Sequence, residues 1–341
     1  MKYSSRFFLY APIAVFLLIA AVASVIWWRE ANTLSARLDA MNGREAMPGV
    51  TVSFKSKTVS GFPFNLDVTF ADLRATVKTP HGPTVWTSEK FALHALTYGR
   101  EQMIFEAAGR QALNWVQLDG KKRGLPFEVG ELHASAISTE RGVSRVDVVL
   151  LGFGSPALTA GKIELHARVA PNGSAVEVAA LAESVHLSPP LRSAFGPDIV
   201  TARMTASATP PRAFDGLRAG RTDWVSAVET WRKAGGVLRI DDAEVAWPEV
   251  STHGKGQLVL NDKHAVSGAL DFKVAGITKF VEQATLRGMK GDSFRGIGPA
   301  LLARAAKAGA NDAGLLGAVV TFDAGVVALG DTPATTAEPL Y

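Results

Sequence analysis

The sequence predicts a mainly β protein of the α+β class. An N-terminal transmembrane helix is followed by a long, curved antiparallel sheet with a few covering helices. Three observations predict it. Residues 7–28 are apolar and uncharged. From residue 50 onward the apolar residues recur every second position rather than every third or fourth. Turn signals separate these alternating runs, and helical spacing is confined to short stretches.

The helix runs from Phe7 to Trp28. At about 1.5 Å per residue it is roughly 33 Å long, enough to cross the hydrocarbon core of a bilayer. Trp27 and Trp28 close its far end, where indole rings suit the lipid–water boundary. Ala21-Val22-Ala23 also fits a signal-peptide cleavage pattern. The apolar run continues through Val25 and Ile26, which favours a retained anchor. Both readings export the remainder. Lys2 and Arg6 precede the helix, and Arg29, Arg37 and Arg44 follow it, so the flanking charges are nearly balanced. A short basic leader before a large domain favours residues 1–6 inside and the body outside.

The chain has 341 residues, a formal charge of +4 and no cysteine. The body after the anchor can bury a substantial core. Its thinly spread charge lacks the basic stripe that nucleic acid requires. Without cysteine there is no disulfide framework and no thiolate metal site.

Residues 29–48 are expected to continue the helix as a stalk, with Leu34, Leu38 and Met41 on one face and Met47-Pro48-Gly49 as its end, a flexible linker being the other reading. Residues 49–188 form a first β-rich lobe. Phe64, Leu66, Val68 and Phe70 alternate with Asn65, Asp67 and Thr69. Val146, Val148 and Leu150 form a similar run. Ile163 and Leu165 alternate with Lys162, Glu164 and His166, and Asn172-Gly173 signals the hairpin to Val176 and Val178. Residues 189–221, rich in proline, read as a linker. Residues 222–330 form a second lobe. It opens with a helix carrying Trp224, Val228 and Trp231, capped by Thr222 or Asp223 and ended by Gly235-Gly236. Strands return at 237–240, 245–247 and 257–260, and Leu270, Phe272 and Val274 share one face. Helices are expected near Ile277–Ala284 and Pro299–Ala308. Residues 331–341 read as a disordered tail.

No catalytic constellation stands out. Gly152-Phe153-Gly154-Ser155-Pro156 loosely resembles a dinucleotide fingerprint, but proline and a strand follow where a helix is needed. Asp241, Asp242 and Glu244 cluster where a hairpin turn is expected, a common place for acidic residues. The seven histidines include no pair at helical metal-ligand spacing and read as solvated. No catalytic, cofactor-binding or metal-ligating residue is assigned. Trp224, Trp231 and Trp247 form a candidate aromatic patch, whose ordinary role is packing a helix on a sheet. The candidate apolar face comprises Phe64, Leu66, Val68, Phe70, Ile163, Leu165, Leu270, Phe272 and Val274. If helices cover that face it is a core. If few do, it is a greasy trough beside a lipid source.

Several stretches resemble a bacterial domain-of-unknown-function family, DUF2125. They are Trp231 with Gly235-Gly236, then Val245-Ala246-Trp247, then Gly254-Lys255-Gly256-Gln257, and residues 268–276. The Phe322-Asp323-Ala324-Gly325 turn and the early Gly61-Phe62-Pro63-Phe64 also fit. The anchor-plus-amphipathic-strand layout is similar in style to AsmA-type envelope proteins. That resemblance implies a bacterial inner-membrane protein with a periplasmic body linked to lipid or envelope homeostasis. The expected role is non-enzymatic: binding or handing on a lipid or other apolar ligand, with no cofactor. The expected partners are the membrane itself and lipid or other envelope proteins. An envelope scaffold with a fully buried sheet face is the second reading, and an envelope hydrolase the third.

Overall fold

A computed structural model describes residues 5–96, 101–117, 119–191, 195–276, 315–323, 325–329, 332–336 and 339. Helix α1 spans Ser5–Met41. The strands β1 (Arg44–Met47), β2 (Val50–Ser53), β3 (Ser56–Ser60), β4 (Asn65–Thr79), β5 (Gly82–Leu96) and β6 (Gln102–Val116) follow. Then come β7 (Lys122–Thr139), β8 (Gly142–Gly154), β9 (Leu158–Val169), β10 (Val176–Leu187) and β11 (Asp198–Thr209). Helices α2 (Asp215–Arg218) and α3 (Trp224–Lys233) intervene before β12 (Val237–Ala246), β13 (Ser251–Leu260) and β14 (Val266–Ala275). The last strands are β15 (Leu315–Asp323), β16 (Val326–Leu329) and β17 (Thr332–Thr336).

From β4 to β17 each strand pairs antiparallel with the next in sequence. At the other edge β2 and β3 share β4, and β1 pairs with β2. The result is one meandering sheet, which hairpin connections alone can build.

The register explains why the alternation matters. Residues directly opposite share a face. One row runs Val59, Val68, Leu93, Phe105, Ala134, Val148, Leu165, Ala180, Met204, Ala243, Gly254, Phe272, Ala318. No polar side chain interrupts it. A flanking row, Leu66, Ala95, Met103, Ala136, Val146, Ala167, Val178, Ala206, Ile240, Gly256, Leu270, Val320, is also wholly apolar. On the other flank, the row from Phe70 to Leu316 is broken only by Thr252. A one-residue slip anywhere would put charges into these rows, so the pattern itself fixes the register.

The opposite face is charged and internally paired. His94 meets Asp67 at 2.8 Å, His166 meets Asp147 at 2.7 Å, and His186 meets Asp198 at 2.7 Å. Burial works against the charge on Asp147, but hydrogen bonds from His166 and Arg145 outweigh it and hold its carboxyl below the usual range.

Eight steps separate β4 from β12, and at the roughly 20–25° per step usual for sheets strand direction would turn through about half a revolution. The β1–β2 hairpin, at the far end of β4, reaches the start of α3. A side chain on Gly49 would bring its Cβ within 3.2 Å of the Asp223 Cβ.

Four expectations are corrected. The stalk helix ends at Met41 rather than near residue 46, because Gly43 takes a left-handed backbone (φ 74°) and its N–H bonds Val52. Residues 189–221 are not a linker: β11 lies inside them and pairs on both sides, so the two expected lobes share one sheet. The tail 331–341 is not wholly unstructured, since β17 pairs with β16. Asp241, Asp242 and Glu244 sit within β12, not in a turn. The helices expected near 277–284 and 299–308 lie outside the described residues.

Candidate functional site

Among the described residues the apolar face is buried in a cluster at each end and only partly covered between them. At the first end Val68, Phe70 and Leu73 form a buried cluster, roofed by Leu34 and Leu38 of α1. Burying each such side chain is worth about 1.5–3 kcal/mol. At the last end Val250, Val274, Leu316, Ala318 and Val320 are buried, with Phe195, Phe272 and Phe322 packed against them. Val68 has no exposed surface, whereas Leu165, in the same row, is 47% exposed. Val148, Leu150, Ile163 and Ala180 around it are only partly covered.

Helix α1 delivers its apolar surface to the first end. It is long and apolar enough to cross a membrane, with side chains exposed along Tyr10 to Trp28. Beyond the apolar segment, Ala31 becomes buried. Ser24 satisfies its hydroxyl on the Ala20 carbonyl one turn back.

Beside the trough lies a pocket of about 560 Å³. Its floor is Val146, Ala167, Val178, Ala208, Leu238 and Leu258, and its roof is Phe214, Leu217, Trp224, Val228 and Trp231. Asp223 fixes the roof by capping α3: its carboxylate accepts the Ser226 N–H at 2.8 Å. That backbone hydrogen bond is the main reason its carboxyl lies below the ordinary value. Arg232 ties the other end of α3 to Asp262 in the β13–β14 turn at 2.6 Å.

The sequence-derived face is placed as follows. Leu66, Val68, Phe70, Ile163, Leu165, Leu270, Phe272 and Val274 all lie in the three apolar rows. Phe64 does not: it precedes β4 and is exposed. The aromatic patch is divided. Trp224 and Trp231 line the pocket, but Trp247 packs edge-on against Phe195, with ring centroids 5.0 Å apart. Trp231 is core, 7% exposed, while Trp224 is 53% exposed. The strand histidines are part-exposed, in keeping with a solvated reading, and also face carboxylates across strands. Phe214 and Leu217 were missed because the prolines around them read as a linker. Their three-residue spacing was the available signal.

Among the described residues, no three His, Cys, Asp or Glu side chains converge as a metal site. The chain matches a family described as uncharacterized protein conserved in bacteria (DUF2125) over residues 27–338. No curated protein matches it.

Proposed function

The chain belongs to the DUF2125 family of bacterial proteins, and we propose that it shelters the acyl chains of a membrane lipid in its apolar trough, holding or handing on the lipid without transforming it. In this reading α1 is a retained anchor in the bacterial inner membrane, and the sheet stands in the periplasm. The carrying observation is that Leu165, 47% exposed, and the partly covered residues beside it lie mid-row between the buried clusters at the two ends. A soluble protein rarely leaves a contiguous apolar patch of this kind without a use for it. The packing of Leu34 and Leu38 on the first cluster holds the sheet against the far end of α1, beside the anchor.

The test uses a photoreactive benzophenone amino acid in the full chain within bacterial membranes. Leu165 and Glu164 are adjacent in sequence but on opposite faces. Irradiation should yield lipid adducts at position 165 and few at 164. Protein adducts at 165, or equal labelling at both, would sink the lipid reading. Protein adducts at 165 would favour an envelope scaffold, the reading supported by the buried clusters at both ends.

A further inference from the structure

We propose that the pocket beneath α3 receives the methyl end of one acyl chain from a bilayer lipid. This deepens the trough reading and rests on it.

The chemistry of the lining selects the occupant. The Trp231 indole N–H donates to the Thr209 carbonyl at 2.8 Å. The Arg218 guanidinium donates to the Val143 carbonyl at 2.7 Å and to Asp215 at 2.8 Å. The polar groups nearest the pocket are thus directed to protein partners, and the rest of the lining named above is hydrocarbon or aromatic ring. A ligand segment carrying hydroxyl, amide or charge would lose its water and find no replacement bond there. A hydrocarbon terminus loses nothing. The volume of about 560 Å³ lies within the range of small-molecule sites.

Continuity identifies the source. The floor residues Val146, Ala167 and Val178 belong to the same row as Leu66. Leu66 follows Asn65, whose carbonyl accepts the indole N–H of Trp27 at 2.7 Å. One apolar row therefore leads from the last residues of the membrane-crossing segment to the pocket floor. From Leu66 to Val146 it crosses four strand steps, about 19 Å at ~4.8 Å per step. Half of a bilayer core is about 15 Å. A lipid whose chain ends in the pocket has therefore left the bilayer rather than leaning out of it.

The experiment reconstitutes the full chain in phosphatidylethanolamine vesicles carrying a diazirine on one acyl chain. One probe lipid carries it at the terminal methyl and the other beside the ester. Labelling of α1 residues 10–28 by both is the internal control. The terminal probe should label Trp224, Leu238 or Val228, and the ester-side probe should label the trough near Leu165. Ala208→Phe, which fills the pocket from its floor, should cut terminal-probe labelling there by about tenfold, as loss of several methylene contacts predicts, and leave ester-side labelling at Leu165 unchanged. Terminal-probe labelling spread along the trough but absent from the pocket overturns the pocket assignment and spares the trough. Labelling confined to α1 overturns both. If Ala208→Phe does not fold, the wild-type map alone decides.

Discussion

The Trp27 indole N–H donates to the Asn65 carbonyl at 2.7 Å, joining the end of the apolar helix segment to the first residue of β4. The same ring meets Phe62 edge-on, with centroids 5.6 Å apart. The apolar row that begins at Leu66 is therefore fixed relative to the helix. An exposed hydrogen bond and one aromatic pair are worth about 0.5–1.5 kcal/mol each. Trp27→Ala should lower stability by about 1–2 kcal/mol, and Trp27→Phe by less, because the ring contact survives. Urea unfolding in detergent micelles measures both. Identical midpoints for wild type and Trp27→Ala would show that the helix end is not held by this contact.

Lys57 and Asp39 fasten the next part of the helix. Lys57 lies opposite Phe70, on the apolar face, and its side chain is 9% exposed. Its ammonium reaches Asp39 of α1 at 2.6 Å. Asp39→Ala leaves the ammonium in an apolar setting and should cost about 1–3 kcal/mol. Replacing both, with Lys57→Met, should return stability close to wild type, since apolar side chains of similar volume commonly substitute for such pairs. A double variant as unstable as Asp39→Ala alone would show that the pair's attraction, rather than relief of the stranded charge, carries the effect.

The row through Val68, Leu165 and Phe272 should divide into core and trough under one test. Phe272 packs against the buried cluster at the last end and fills the space a Gly254 side chain would need. Phe272→Asp puts a carboxylate into that cluster and should destabilise by more than about 4 kcal/mol. Val68→Asp should do the same at the other end. Leu165→Asp should fold with a near wild-type thermal midpoint and abolish lipid adducts formed from a neighbouring photoreactive residue at Val148. If Leu165→Asp unfolds the chain as Val68→Asp does, the middle of the face is core and the trough is not open.

Much of this was legible because the information is local. Alternation of Ile163 and Leu165 with Lys162 and Glu164 states the face of β9 without reference to any other strand. The helix cap at Asp223 and the Gly235-Gly236 stop are likewise read within one turn. What could not be read depends on distant partners. Nothing in residues 189–221 announces that β11 continues the sheet, since its proline-rich flanks outweigh a modest alternation. Exposure of Leu165 and burial of Val68 follow from where α1 lies, and their own strands look alike. Trp247 was grouped with Trp224 by nearness in sequence, but the β12 strand carries it to the opposite end from α3.

The roof of the pocket should loosen in acid. Asp223 accepts the Ser226 N–H, and its carboxyl lies below the ordinary value of 3.8. A depressed folded-state pKa means the unfolded chain takes up the proton first. The cap's contribution is therefore complete above about pH 4, near the unfolded value, and is lost as pH falls through the lower folded value. Asp223→Ala should remove about 1 kcal/mol at neutral pH, a typical N-cap effect. It should also flatten the part of the stability–pH curve below pH ~4 that this carboxyl supplies. Because Asp223 abuts Gly49 of the β1–β2 hairpin, the loosening should reach α3 first. Protection factors at the amides of Val225, Ser226 and Ala227, taken against the unstructured exchange rate at the same pH, should fall in the variant at neutral pH and in wild type below pH ~4. Unchanged exchange in both would mean that packing of Val228 and Trp231 holds the roof without the cap.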